Sequence, residues 1–272
     1  MEEYKKAAIQ FMKKMGYLDN PRVLGVILSG SYTTGYQHKG SDVDVHVILK
    51  NGLIERITKK FKIYRGVQIV DGFKFEYFEK PIGEIYKSAR MDFNTHNNAL
   101  LPIVGYGQVI HSKSKELERL REYIRKLYSR PLPKLEGDDA KEAVAIIENR
   151  ISKLRLMSTR NIHEFDSEYY LIVEKIRKAV SRMSGCADIP PNKAIRLYTN
   201  EKYRESFCKT VIPDQEFIDL YIKAITEKLT TDEKIEMVES LYEFMTRDME
   251  FDPNNYRISI RSRADIKSPH FN

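Results

Sequence analysis

The stretch from Val23 to Val47 decides what this chain can fold into. An apolar run, Val23 to Leu28, leads into Gly30-Ser31. A polar loop containing Gly35 and Gly40 follows, and then Asp42-Val43-Asp44-Val45-His46-Val47. Side chains at i and i+2 of a strand point to one face. A strand here projects Asp42 and Asp44 side by side, with His46 beyond them, and sends Val43, Val45 and Val47 to the opposite, buried face. Carboxylates held that close repel unless a cation lies between them. Mg²⁺ is the usual one, because it takes carboxylate oxygens together with substrate phosphates. A glycine and a hydroxyl just upstream suit a phosphate cradle, since glycine lets backbone N–H groups approach closely. The plainer alternative is a hairpin whose aspartates are merely solvated.

The rest of the first half reads as short alternating elements. Tyr4, Ala7, Ala8, Phe11, Met12 and Met15 share a helical face, and Gly16 is a plausible stop. Strands are expected at about 23–28 and 42–49, then a turn at Asn51-Gly52 and a short helix over 53–61. Val67 to Val70 is β-branched and runs into Asp71-Gly72, a two-residue hairpin turn. Phe73, Phe75 and Tyr77 then alternate with Lys74, Glu76 and Phe78. Pro81 opens a helix to about Met91, Asn94 to Asn98 reads as loop, and 102–110 reads as another strand.

From Lys115 onward the period is helical. Helices are expected at about 115–127, from the Gly137-Asp138-Asp139 cap to about 160, from an Asp166 or Ser167 cap to Met183, and from a Thr230/Glu233 capping box to about 249. The second of these carries Ala143, Ile146, Ile147, Ile151, Leu154 and Met157 as its stripe; the third carries Tyr170, Ile172, Val173, Ile176, Val180 and Met183. Pro190-Pro191 marks a connection, and the tail after Pro253 shows no clear element. The expected fold class is α+β, a small mixed sheet with helices over 1–115 followed by an all-α helical bundle over 116–272.

Gly30-Ser31, the loop length and the valine-flanked Asp42-x-Asp44 together resemble the signature of the nucleotidyltransferase superfamily that includes DNA polymerase beta and the aminoglycoside nucleotidyltransferases. The two-domain plan is closest to the latter, whereas the specific motifs cover only about residues 23–80. The resemblance implies two Mg²⁺ ions held by Asp42 and Asp44, with a third carboxylate on a later strand. Phe75-Glu76-Tyr77 matches the apolar-acid-apolar run that carries it, which makes Glu76 the third ligand. Asp71 and Glu79 are the alternatives, better explained by a turn and by the loop before Pro81. Gly30 and Ser31 are implied at the triphosphate, together with Ser41. Many relatives have an arginine three residues after the serine; here that position is Thr34, which leaves Lys39 or His38 as the nearby cation. In the aminoglycoside enzymes a glutamate on the first long helix of the second domain acts as general base. Glu148 sits on such a helix, with Glu142 competing and a solvated glutamate as the plain alternative.

Charge bears on the acceptor. Residues 1–115 hold 18 Lys+Arg and 11 Asp+Glu, a balance of 18 − 11 = +7, which is the whole net charge of the chain. A basic domain suits a polyanion such as a nucleoside triphosphate or RNA. It suits a polycationic aminoglycoside less well. The expected function is Mg²⁺-dependent transfer of a nucleoside monophosphate from an NTP, ATP first, to a hydroxyl of a small molecule. Transfer to RNA or protein, as in toxin–antitoxin relatives, is the second reading, and a non-catalytic nucleotide-binding module the third. Cys186 and Cys208 show neither a disulfide framework nor metal-ligand spacing. No apolar run approaches the ~20 residues that span a membrane, and residues 1–6 lack a signal-peptide core, so a cytoplasmic protein without a membrane partner is expected.

Overall fold

A computed structural model of the chain describes residues 3–53, 60–158 and 162–252. The chain forms two compact units, one of Met1–Leu132 with Glu201–Thr210, the other of Pro133–Asn200 with Val211–Asn272. No helix among the described residues is long and apolar enough to cross a membrane.

The first unit holds a five-stranded mixed sheet. Its strands are β1 (Val23–Ser29), β2 (Val43–Leu49), β3 (Tyr64–Val70), β4 (Phe73–Pro81) and β5 (Gln108–Ser112), in the order β3-β4-β2-β1-β5. β2 and β4 run parallel, and the other neighbours antiparallel. The valine alternation of β2 buries Val43, Val45 and Val47 against α1 (Glu3–Lys14), where Phe11 stacks on Phe75 at 4.9 Å. Gly16 ends α1 in the left-handed region, where glycine pays no Cβ penalty. The opposite face of β1 and β2 offers Leu24, Ile27 and Ile48 to α3 (Ile82–Asn94) and α4 (Lys115–Tyr128). That half of the face is covered. Over β3 and the start of β4 it is open, with Val67 and Ile69 exposed.

Two expectations for this unit need correction or fall outside it. Residues 102–110 are not one strand: Leu101–Gly105 is a single π turn, and β5 begins at Gln108. Pro102 occupies the start of the turn, and arginines of α4 hold its carbonyls. Arg121 donates to Val104 and Gly107 at 3.1 Å, and Arg125 to Gly105 at 2.8 Å. Those donors satisfy groups that a sheet ladder would otherwise have to. The helix expected over 53–61 falls mostly on 54–59, outside the described residues, as does the tail from 253.

The second unit is helical, as expected. α5 (Gly137–Met157) packs with α6 (Ile162–Met183), Tyr198 of α7 (Pro191–Thr199) meets Tyr221 of α9 (Gln215–Thr226), and α10 (Thr231–Thr246) packs against α5, α6 and α9. α8 (Glu201–Ser206) belongs to the first unit. α6 starts before the expected caps: Asp166 lies within it and accepts from Lys234 at 2.7 Å. The buried stripes shift accordingly. α5 buries Ala140 and Val144 while Ile146 is exposed, and α6 buries Phe165 and Tyr169 while Tyr170 is exposed. α7, α8 and α9 were not anticipated. The Thr230/Glu233 capping box is present in full.

The Phe11→Ala variant should lose about 3–5 kcal/mol, because it empties a fully buried aromatic site. Urea unfolding followed by far-UV circular dichroism checks this; a loss below about 1 kcal/mol would show that α1 contributes little to holding the sheet.

Candidate active site

The site is built where β1 ends. Gly30 has φ 79°, a value L side chains rarely adopt, and turns the chain into a one-turn helix, α2 (Ser31–Thr34). The Thr33 and Thr34 hydroxyls both donate to the Gly30 carbonyl, at 2.9 and 3.2 Å. Thr34 therefore spends its hydroxyl on holding the turn. A Cβ at Gly30 would overlap the Asp44 carboxylate, so glycine is needed for space as well as for conformation. The loop closes on itself through residues 38–41. The His38 N–H donates to the Ser41 hydroxyl and the Ser41 N–H to the His38 carbonyl, both at 2.9 Å.

Sheet register then assembles the acids. Asp44 of β2 lies opposite Glu76 of β4 in the parallel ladder. Carboxylate oxygens of Asp42, Asp44 and Glu76 all lie within 4.8 Å of one another, half-buried. Three hard oxygen donors converging near the starts of two inner strands fit Mg²⁺. Asp71 is in the hairpin turn with φ 49°, followed by Gly72 at 80°. Glu79 points away, accepting from the Tyr17 hydroxyl at 2.6 Å; burial, then Glu79, pushes that phenol upward.

Two cations flank the cluster. Arg65 of β3 pairs with Glu76, and Lys74 lies 3.5 Å from Asp42. Two residues beyond Asp44 along β2, the next side chain on this face is neutral. His46 is buried, shares a hydrogen bond of 3.0 Å with the Ser29 hydroxyl, and stacks on Phe78 at 5.4 Å. Burial, assisted by Lys80, lowers its pKa from 6.5 to about 3. Asp92, on α3, is pushed up to about 6 by burial, against the pull of Lys80 and Lys209.

The remaining sequence candidates are placed as follows. Lys39 is exposed in the loop, with its carbonyl 3.1 Å from His38 Nδ1. Ser41 is half-buried, its hydroxyl engaged in the loop. Glu148 and Glu142 are on α5 in the other unit, and Glu148 lies 3.9 Å from Arg155. Sequence reading missed Arg65 and Lys74 as flanking cations and Ser29 as the partner of His46. The alternation of β4 already put Lys74 on the face of Glu76. Arg65 needed the β3–β4 register, which pairs it with Phe78.

The family model of the nucleotidyltransferase domain matches residues 6–91, a span that contains all three carboxylates and the glycine turn. The chain carries a nucleotidyltransferase domain. It is thus of the enzyme class that transfers nucleotidyl groups. Among solved structures, the chain is similar to a nucleotidyltransferase-like protein from Exiguobacterium sibiricum, at 11% identity and a TM-score of 0.46, over 90% of this chain and 74% of that one. The comparison with curated proteins gives no match.

The two shifted groups should act on stability in opposite directions. His46 binds a proton in the unfolded chain below 6.5 but in the folded chain only near 3, so it makes stability rise with pH over that window. Asp92 has a folded value near 6 against 3.8 unfolded, so it makes stability fall as pH rises between them. Denaturant midpoints measured against pH should show His46→Gln exposing the fall and Asp92→Asn exposing the rise. Identical pH profiles for wild type and both variants would contradict the burial assigned to these groups.

Proposed function

We propose that this domain transfers a nucleoside monophosphate from an NTP, ATP first, to an acceptor hydroxyl, with Mg²⁺ held by Asp42, Asp44 and Glu76. The observation that carries the reading is the convergence of three carboxylates within 4.8 Å beside a glycine turn. A bound ion there supplies positive charge at the reacting oxygens. The residues of the chain do the rest. Asp42 and Asp44, next to the turn, orient the triphosphate end. The Gly30-Ser31 backbone faces phosphate oxygens without a side chain in the way, with Ser31, Lys39 and Ser41 as further contacts from the same loop. Glu76, on the far side of Asp44, serves the acceptor end. The α-phosphorus exchanges its bond to the pyrophosphate oxygen for one to the acceptor oxygen, and the hydroxyl proton is released.

Asp44→Asn and Glu76→Gln should each lower turnover by at least about a hundredfold, as expected for groups that position charge in the transition state. Asp71→Asn should stay near wild type. Asp44→Asn should unfold no earlier than wild type without metal, because it relieves like-charge repulsion. Release of pyrophosphate from ATP measures the first effect, and thermal unfolding in a chelator the second. Near-wild-type turnover in Asp44→Asn, or a larger loss in Asp71→Asn than in Glu76→Gln, would overturn the assignment.

A further inference from the structure

The register orders the site across the sheet. The glycine turn follows β1, Asp42 immediately precedes β2 and Asp44 belongs to it, Glu76 belongs to β4, and Val67 of β3 lies opposite Glu76. If phosphates sit at the turn, an acceptor must come from the β3 side. On that side the shared face is open. Val67 and Ile69 are 55% and 66% exposed, and the side chains of Arg65 and Lys74 are 67% and 51% exposed. Arg65 lies opposite Phe78 and Ile69 opposite Lys74, so each end of the aliphatic pair has a cation. Among the described residues of β3 and β4, this face presents Arg65, Lys74 and Lys80 but only one acid, Glu76.

We propose that this open face seats the acceptor, and that the acceptor is a nucleotide unit, either a free nucleotide or the 3′-terminal nucleotide of an RNA strand. The inference rests on the nucleotidyl-transfer reading above. Val67 and Ile69 are about 7 Å apart along the strand, a span that a planar base covers while removing both from water. Arg65, at the Glu76 end of the pair, meets the phosphate of the same unit through its planar fork, and Lys74 adds positive charge at the other end. A ribose hydroxyl is then presented at Glu76, one strand spacing away, about 4.8 Å. Its oxygen bonds to the α-phosphorus of the NTP, the bond to the bridging oxygen breaks, pyrophosphate leaves with that electron pair, and the hydroxyl proton passes to solvent. A polycationic acceptor meets Arg65 and Lys74 as like charges, which disfavours it. The +7 balance of residues 1–115 points the same way.

The test uses the full chain and a fluorescently labelled short oligouridylate, read by anisotropy at two salt concentrations, with UMP as competitor. Val67→Asp and Ile69→Asp place a carboxylate on an exposed strand face. Each should weaken binding of the oligouridylate or UMP at least about tenfold, a loss of about 1.4 kcal/mol. Val211→Asp, at another exposed aliphatic residue, should leave binding unchanged. Mg²⁺–ATP affinity should survive Ile69→Asp, which lies opposite Lys74 and not opposite Glu76. With α-labelled ATP, label on UMP marks a free nucleotide as acceptor, and label on the oligouridylate marks a strand end; either supports the proposal. Unchanged binding in both aspartate variants, or label on a kanamycin-type aminoglycoside with none on UMP or oligouridylate, overturns it while leaving nucleotidyl transfer standing. Absence of Mg²⁺–ATP binding in the wild type removes the transfer reading itself, and this inference with it.

Discussion

Three carboxylates whose oxygens lie within 4.8 Å repel one another, by roughly 1 to 4 kcal/mol per pair depending on how much water screens them. The first unit is arranged so that this repulsion is borne at one place. Asp44 and Glu76 are fixed in a parallel ladder and cannot move apart without breaking sheet hydrogen bonds. Gly30 leaves room for the Asp44 carboxylate where any side chain would collide with it. Arg65 and Lys74 return part of the cost by pairing with Glu76 and Asp42. Both cations are largely exposed, so the relief they give is modest and an incoming divalent ion competes with them on favourable terms.

The layer beneath is kept neutral. His46 shares a hydrogen bond with Ser29 and stacks on Phe78, and its burial suppresses protonation. A charged imidazole there would compete electrostatically with a metal two residues away. Uncharged packing behind and exposed cations in front leave the carboxylates as the dominant buried charge of the site. That division follows the sheet itself: α3 and α4 close the half of the face behind the acids, and the β3 half stays open.

Much of this was legible in residues 23–80 because period-two alternation fixes which side chains share a face. Val43, Val45 and Val47 declared the buried side of β2, and the Asp71-Gly72 turn declared the hairpin. The alternation of Phe75, Glu76 and Tyr77 put Glu76 on the face opposite the core, but the meeting of Asp44 with Glu76 depends on non-local pairing. The π turn at 101–105 was hidden for a related reason, since its carbonyls are held by arginines 17 and 20 residues on. The helices around 191–226 were overlooked although signals existed. Asp214 caps α9, and Phe217, Ile218, Tyr221 and Ala224 follow at helical spacing. For α6 the turn before Asp166 holds the buried Phe165, so the helix begins ahead of the capping residues that local sequence suggested.

Residues Glu201–Thr210 return to the first unit after nearly seventy residues spent in the second. Within the first unit Tyr203 packs edge-on against Tyr36 of the glycine loop at 4.8 Å, and Asn98 donates to the Cys208 carbonyl at 2.7 Å. On the ribosome, then, the sheet can assemble from its own strands early, but the loop that follows the glycine turn waits for a partner synthesised much later. A chain interrupted before residue 210 would carry all three carboxylates and an unfinished loop. Synthesis order thereby delays a completed site until most of the polypeptide exists, and it argues against expressing the N-terminal part as a free-standing fragment.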